Sequence, residues 1–377
     1  MKLPLTLRRD HLFGTMGRLG AIAGPLLAAG LVTVVGAVLS LDPTMSEIVL
    51  LFGINAILVV GFQVFVGNTG IVSFGHVAFM ALGAYAGGVA AIPATDKELI
   101  LPDLPEGLAG VEVGFVPALL LGGTVAAVVA FVTGLALLRL SGAAASIATL
   151  GLLVIVNNVL AQATPLTRGP QALFGVPENT TFAGVFGSLA VVVCLSAWFK
   201  WSRAGLRARA VRDQPTAAES SGVPTLRPRL WAFVLSAFVT GVAGALYAQL
   251  LTAFSPASFY IPQLVLVIAM AIVGGVGSIS GALTGAAVIT VLNEILRRVE
   301  NGMSIGGLDI HAATGISSAV LGIALIIMLR WRPHGLFGSL EMQVEPARRA
   351  DARDAGREPG EGETACHPPV VSARMEE

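Results

Sequence analysis

The chain has 377 residues, 55% of them hydrophobic and only 12% charged, with 23 basic and 23 acidic groups in balance. That is about half the charge of an ordinary globular domain; it excludes a soluble enzyme, and the balance gives no electrostatic case for binding nucleic acid. Charge-free runs such as 48–95, 140–167 and 230–293 far exceed the roughly 20 apolar residues that cross a bilayer, so the chain reads as an all-α integral membrane protein.

Residues 1–18 are basic, with Lys2, Arg8, Arg9 and Arg18. The apolar run that follows, 19–41, is too long for a signal peptide and forms the first span. A second span covers 47–66. Then comes "GNTGIVSFGHVAFMALGAYAGG", 67–88, with six glycines, one histidine and no charge. Gly67, Gly70 and Gly75, with Asn68, Thr69 and Ser73, favour a break over a helix. Non-helical backbone at membrane depth is tolerated where it is buried in protein or lines a wet cavity, which makes Asn68, Ser73 and Gly75 candidates for the wall of a translocation path. His76 is the one Asp, Glu, His, Lys or Arg side chain in the third span, 71–92. It reads either as a functional group or as a neutral imidazole held by a neighbouring carbonyl. Gly83 and Gly87 in the same span, and Gly281 and Gly285 later, are small-xxx-small pairs that let helices pack closely.

The loop 93–114 is acidic, with Asp96, Glu98, Asp103, Glu106 and Glu112 against Lys97. Spans follow at 115–138, 143–163 and 182–200; Asn157, inside the fifth, joins the candidate path residues. The next loop, 201–229, is basic and long for a bundle. Within it Pro215 can start a helix, Thr216, Ala217, Ala218 and Glu219 continue it, and Gly222 can close it. A short cytoplasmic helix between two flexible arms is the expected form. Further spans cover 230–253, 261–276, 280–296 and 312–330, the eighth short enough to be broken or re-entrant. "AIVGGVGSISGALTG" at 271–285 contains Gly-x-Gly, but no P-loop Gly-Lys-Ser/Thr follows anywhere, and a tight turn between spans is the better reading. Glu294, beside Arg297 and Arg298, reads as an interfacial ion pair.

Ten spans put every basic segment on one side and the acidic loop on the other, with both termini cytoplasmic. The expected architecture is a polytopic bundle of about ten transmembrane helices spanning 19–340. Residues 341–377 are charged, rich in Pro and Gly, and read as a disordered cytoplasmic tail. Cys194 and Cys366 make neither a disulfide framework nor a metal cluster, and His367 beside Cys366 sits in that tail. No catalytic constellation occurs within the spans, so no catalytic residue and no bound cofactor or metal is expected.

Taken together, "GIVSFGHVAFMALGAY" at 70–85, "GLRARAVRDQPTAAESSGV" at 205–223 running into "AFVLSAFVTGVAGALYA", "FSPASF" at 254–259, "VGGVGSISGALTGA" and "WRPHGLFG" at 331–338 resemble the bacterial high-affinity branched-chain amino-acid ABC permeases. "IATLG" at 147–151 and the length favour the M-type subunit over its H-type partner. The resemblance implies a permease of the inner membrane paired with a second homologous permease. Two cytoplasmic ATPase subunits would hold ATP and Mg, and an extracytoplasmic protein would bind the solute. It also implies that Arg212 and Pro215 to Gly222 dock on an ATPase, in the manner of the Glu-Ala-Ala-x-x-x-Gly coupling motif with Thr216 in the glutamate's place, and that Ser73, Gly75 and His76 lie near the path. The chain departs from the family at Ala144 and Ala145, where aromatics are common, at Val154, and in Thr167-Arg168-Gly169-Pro170-Gln171-Ala172. These departures bear on the solute, since urea, short amides and aromatic acids are also carried within this family. A partner-free carrier or channel is the remaining alternative.

Overall fold

The computed structural model describes residues 43–140, 142–300 and 316–331, with isolated positions between 29 and 36, the segments 303–305 and 308–310, and residues 335–336. The basic segment 1–18, most of the first expected span and the tail at 341–377 lie outside them. The described elements are α1 (Pro43–Thr69), α2 (His76–Ala91), α3 (Ala94–Ile100), α4 (Glu106–Ala109), α5 (Phe115–Leu137), α6 (Ala143–Gln162) and α7 (Thr164–Thr167). They continue with α8 (Phe182–Trp201), α9 (Arg203–Asp213), α10 (Pro215–Ser220), α11 (Leu226–Leu251), a 3-10 turn (Pro256–Phe259), α12 (Ile261–Gly274) and α13 (Ile279–Glu300). A two-stranded antiparallel hairpin, β1 (Met303–Ile305) and β2 (Leu308–Ile310), precedes α14 (Ile316–Trp331). Among the described residues the hairpin is a small addition to the helices.

Seven of the described helices are long and apolar enough to cross a membrane, or eight if α2 is taken with α3. α2 and α3 meet at a bend of 118°. Pro93 causes it, because the residue before a proline is pushed out of the helical region, and Ile92 is indeed extended at ψ 132°. α12 has 14 residues and reaches spanning length only with the 3-10 turn before it. α14 has 16 residues, about 24 Å of helix, and falls short of the same test.

Small residues organise the core. α11 packs against α5, α2 and α1, and Gly83, Gly122 and Gly241 meet where α2, α5 and α11 cross. A Cβ added at Gly83 would run into the Gly241 carbonyl, and one at Gly241 would lie 2.7 Å from the Gly122 carbonyl. At Gly87 it would be 2.6 Å from the Ala245 methyl. α12 and α13 pack in the same way. A Cβ at Gly281 would lie 2.6 Å from the Gly274 carbonyl, and one at Gly285 would meet the Met270 carbonyl. Backbones this close maximise dispersion contact, which is what joins helices once lipid has removed the hydrophobic drive. α1 is buried on nearly all sides: Ile54, Ile57, Leu58, Val59, Val60 and Phe65 are fully enclosed.

The acidic loop is also packed. Glu112 accepts from the Ala94 N–H at 3.2 Å, and the buried Lys97 ammonium donates to the Val111 carbonyl. Burial pushes the Lys97 pKa down, and Glu112 opposes that shift.

Candidate functional site

The break expected near 67–75 falls at residues 70–75. α1 runs on through Thr69 because its polar end turns back on itself. Asn68 Nδ2 donates to the Val64 carbonyl and Thr69 Oγ1 to the Phe65 carbonyl, both at 2.8 Å. Gly70, at φ +71°, then stops the helix. The freed backbone finds partners on α6. Ser146 Oγ donates to the Val72 carbonyl at 2.6 Å, and the Phe74 N–H donates to Thr149 Oγ1 at 3.0 Å. Ser73 Oγ accepts from the Gly75 N–H at 3.3 Å. Three backbone groups of the irregular segment thus find side-chain partners within the protein, which is how non-helical backbone is tolerated at membrane depth.

His76 opens α2. Its Nε2 lies 2.6 Å from Ser236 Oγ on α11. Ser236 has one proton and donates it to the Gly61 carbonyl at 2.7 Å. Nε2 must therefore carry the proton that bridges imidazole and hydroxyl. The rings of Phe62, Phe65, Phe79 and Phe233 surround the imidazole at 5.2–6.1 Å between centroids. His76 is 1% exposed; within this chain it sits in an aromatic box and is bonded to a serine hydroxyl, while the sequence left open a functional group or an imidazole held by a carbonyl. We expect Ser236→Ala to cost about 1–3 kcal/mol, the penalty for a buried donor left without an acceptor. Thermal melting of the detergent-solubilised protein would fall accordingly, and unchanged melting would discount the bond.

Asn68, Ser73, Gly75 and His76 therefore share one segment and are each buried, while Gly70 and Val72 between them are exposed. Asn157 does not join them: its Nδ2 donates to the Pro256 carbonyl at 2.7 Å and ties α6 to the turn before α12.

The basic loop folds as two helices. α9 is a departure from the flexible arm expected there. Ser202 caps it, accepting from the Gly205 N–H at 3.2 Å, and its Arg, Ala and Leu residues are good helix formers. α10 has Pro215 in its first turn. It ends in a Schellman motif: Gly222, at φ +78°, donates to the Glu219 carbonyl and Val223 to the Ala218 carbonyl, both at 2.9 Å. Ala218 is buried, whereas Pro215, Thr216, Ala217, Glu219 and Gly222 are exposed. Arg212, between the two helices, reaches back to α1. Its Nη1 donates to the Gly67 carbonyl at 2.6 Å, while Nε and Nη2 hold Asp213 Oδ1 at 2.9 Å. A Cβ added at Gly70 would lie 2.6 Å from Arg212 Cγ. One arginine thus joins the exposed loop to the broken end of a span.

Three further contacts bear on the sequence reading. Gly275-x-Gly277 is a turn between α12 and α13, with Gly275 at φ +106°. Of the closing motif, Leu336 donates its N–H to the Val273 carbonyl at 2.8 Å. Glu294 holds Arg297 Nε at 3.0 Å and Arg298 Nε at 2.9 Å, the ion pair expected at the end of α13. Sequence reasoning missed Ser146, Thr149 and Ser236, small hydroxyls whose only signal was their lying in apolar runs.

Residues 44–329 match the family described as branched-chain amino acid transport system / permease component. The chain is 28% identical to the high-affinity branched-chain amino acid transport system permease protein LivM of Salmonella typhimurium, over 78% of this chain and 69% of that protein. It is equally similar to LivM of Escherichia coli, over 79% of this chain and 71% of that protein. LivH of Escherichia coli is 23% identical over 76% of this chain and 92% of that protein. No solved structure matches. A family match over this much of a chain whose long apolar helices suit a membrane leaves one conclusion: the protein is a multi-pass membrane protein of the branched-chain amino-acid transport-system permease family.

Proposed function

We propose that the chain is the membrane-spanning subunit of an ATP-driven ABC importer for branched-chain or other apolar amino acids, delivered by an external binding protein. The observation that carries the mechanism is the exposed, capped α10 beside Arg212, which holds the end of α1. A partner pressing on α10 has a short route to the break at 70–75 through the Arg212 hydrogen bond. Two ATPase subunits, with ATP and Mg, are the proposed partners there, and this chain contributes no ATPase site of its own. A second, homologous permease is the proposed lateral partner. α6 supports it, because Ile147, Ile155 and Val159 stand exposed on a face with Gly151 and Asn158. The layout that fits is a basic cytoplasmic segment at 1–18, a permease domain of ten spans at 19–340 with both termini cytoplasmic, and a disordered tail at 341–377. In that layout α10 faces the cytoplasm.

The test is to purify the tagged chain in mild detergent, identify what accompanies it and measure ATP hydrolysis, then leucine uptake in proteoliposomes. A chain that purifies alone and hydrolyses nothing, under conditions that preserve other ABC complexes, refutes the reading. Gly222→Val examines α10 itself. No atom lies within 4 Å of a Cβ there, so the change acts through the backbone; left-handed geometry costs about 1–2 kcal/mol for an L-residue, more when β-branched. The Schellman end opens while the bundle stays intact. We expect normal assembly in the membrane with ATP hydrolysis uncoupled from uptake. Normal uptake would remove the docking role.

A further inference from the structure

At the other end of α1 from Arg212 lies an open cavity of about 220 Å³, lined by the start of α1, the end of α11, the start of α12 and the end of α13. Glu47 and Gly67 are 20 residues apart on one helix, about 30 Å, so the cavity and the coupling loop occupy opposite ends of the bundle. Ligand pockets for drug-sized molecules run to roughly 300–1,000 Å³; this one suits a smaller solute.

Its walls have two characters. Leu51, Leu251 and Leu266 supply an apolar side. Lining the same cavity are groups with unspent hydrogen-bonding capacity. Arg297 gives only its Nε to Glu294, leaving the Nη groups of a fork suited to a carboxylate. Both Glu294 oxygens are taken, by Arg297 and Arg298, so that carboxylate is already neutralised. Glu47 lines the cavity too and is the negative group left for an ammonium. Asn55 reaches only Thr290, at 3.4 Å, and the Asn293 amide and Tyr247 hydroxyl complete the polar side. Polar groups at the edge of an apolar bundle call for a polar occupant. A donor fork, a carboxylate with no partner among the described residues and aliphatic side chains in one small space describe a zwitterion with a short apolar side chain.

We propose that this cavity is a binding site for a free aliphatic α-amino acid, its carboxylate on Arg297, its ammonium on Glu47, and its side chain against Leu51, Leu251 and Leu266. The proposal rests on the amino-acid importer reading and adds a solute site to the permease itself, remote from the segment around His76.

The test is protection from thiol labelling in the full complex. Asn293→Cys, and separately Gln263→Cys at the same cavity, are made with Cys194→Ser and Cys366→Ser, and labelling by a maleimide is timed. At ten times its Kd, L-leucine should slow labelling about tenfold, since roughly one site in eleven stays free. Isoamylamine, lacking the carboxylate, and isocaproate, lacking the ammonium, should give no such protection. Labelling of both variants unchanged by leucine overturns the site, as does equal protection by either half-ligand or protection by phosphatidylethanolamine vesicles alone. Labelling needs no turnover, so a complex without ATPase partners would refute the importer reading while the site is still judged by leucine protection.

Discussion

Gly83→Leu should leave almost no folded protein in the membrane. A Cβ at Gly83 would run into the Gly241 backbone on α11, and the Gly83 carbonyl lies 2.7 Å from where a Cβ on Gly122 of α5 would sit. The obstacle is backbone on two helices, so no rotamer change relieves it. Ordinary overpacking costs about 1–3 kcal/mol; four added carbons at a three-helix crossing should exceed that, against a total stability of about 5–15 kcal/mol. Gly187→Leu is the control. Gly187 also lies within a span, α8, but nothing approaches its Cβ position within 4 Å, so this variant should be recovered at the parent's level. The readout is the monodisperse fraction extracted from membranes, followed by size exclusion. Equal recovery of the two variants would show that the close approach at Gly83 is not what holds α2 to α11.

The same crossing shows how far the sequence could be read. Gly83 and Gly87 could be singled out by their spacing, but Gly122 and Gly241 could not be picked from 45 glycines, because the choice depends on which helices cross. Span edges were legible: Phe182, Ala143 and Phe115 begin helices within a residue of the expected starts, since charge-free runs end abruptly at turn residues. Pro215 and Gly222 punctuate α10 as local rules require. α9 was hidden because its arginines also serve as a topogenic signal, and one composition can express both.

Long-range partners were not legible at all. His76 finds Ser236 across 160 positions, and Arg212 finds Gly67 across 145. Period and composition say that an intramembrane imidazole needs a partner; only the packing of α2 on α11 says which hydroxyl is near. The break at 70–75 was readable from its glycines, whereas its closure by Ser146 and Thr149 was not. The "IATLG" stretch pointed to the family without showing that its threonine fastens the break.

Arg212→Ala should separate ATP turnover from uptake. Thr69 ends α1, so the Gly67 carbonyl is one of the last four, which have no partner inside the helix. Arg212 supplies that partner at 2.6 Å and sets a positive charge against the negative end of the helix dipole. A hydrogen bond from a charged group contributes about 1.5–3 kcal/mol, and since about 1.4 kcal/mol is a factor of ten, losing it as a coupling contact should lower leucine uptake by about tenfold or more. Assembly should survive, because α9 and α11 still pack on each other and on α1 through other residues. Arg212→Lys separates the two features of the contact. An ammonium can still reach the Gly67 carbonyl but lacks the planar fork that holds Asp213 as well, so uptake should be intermediate. If Arg212→Ala transports normally with ATPases attached, force does not pass from α10 to the break through this arginine. If the lysine variant is as inactive as alanine, the fork to Asp213 matters more than the bond to α1.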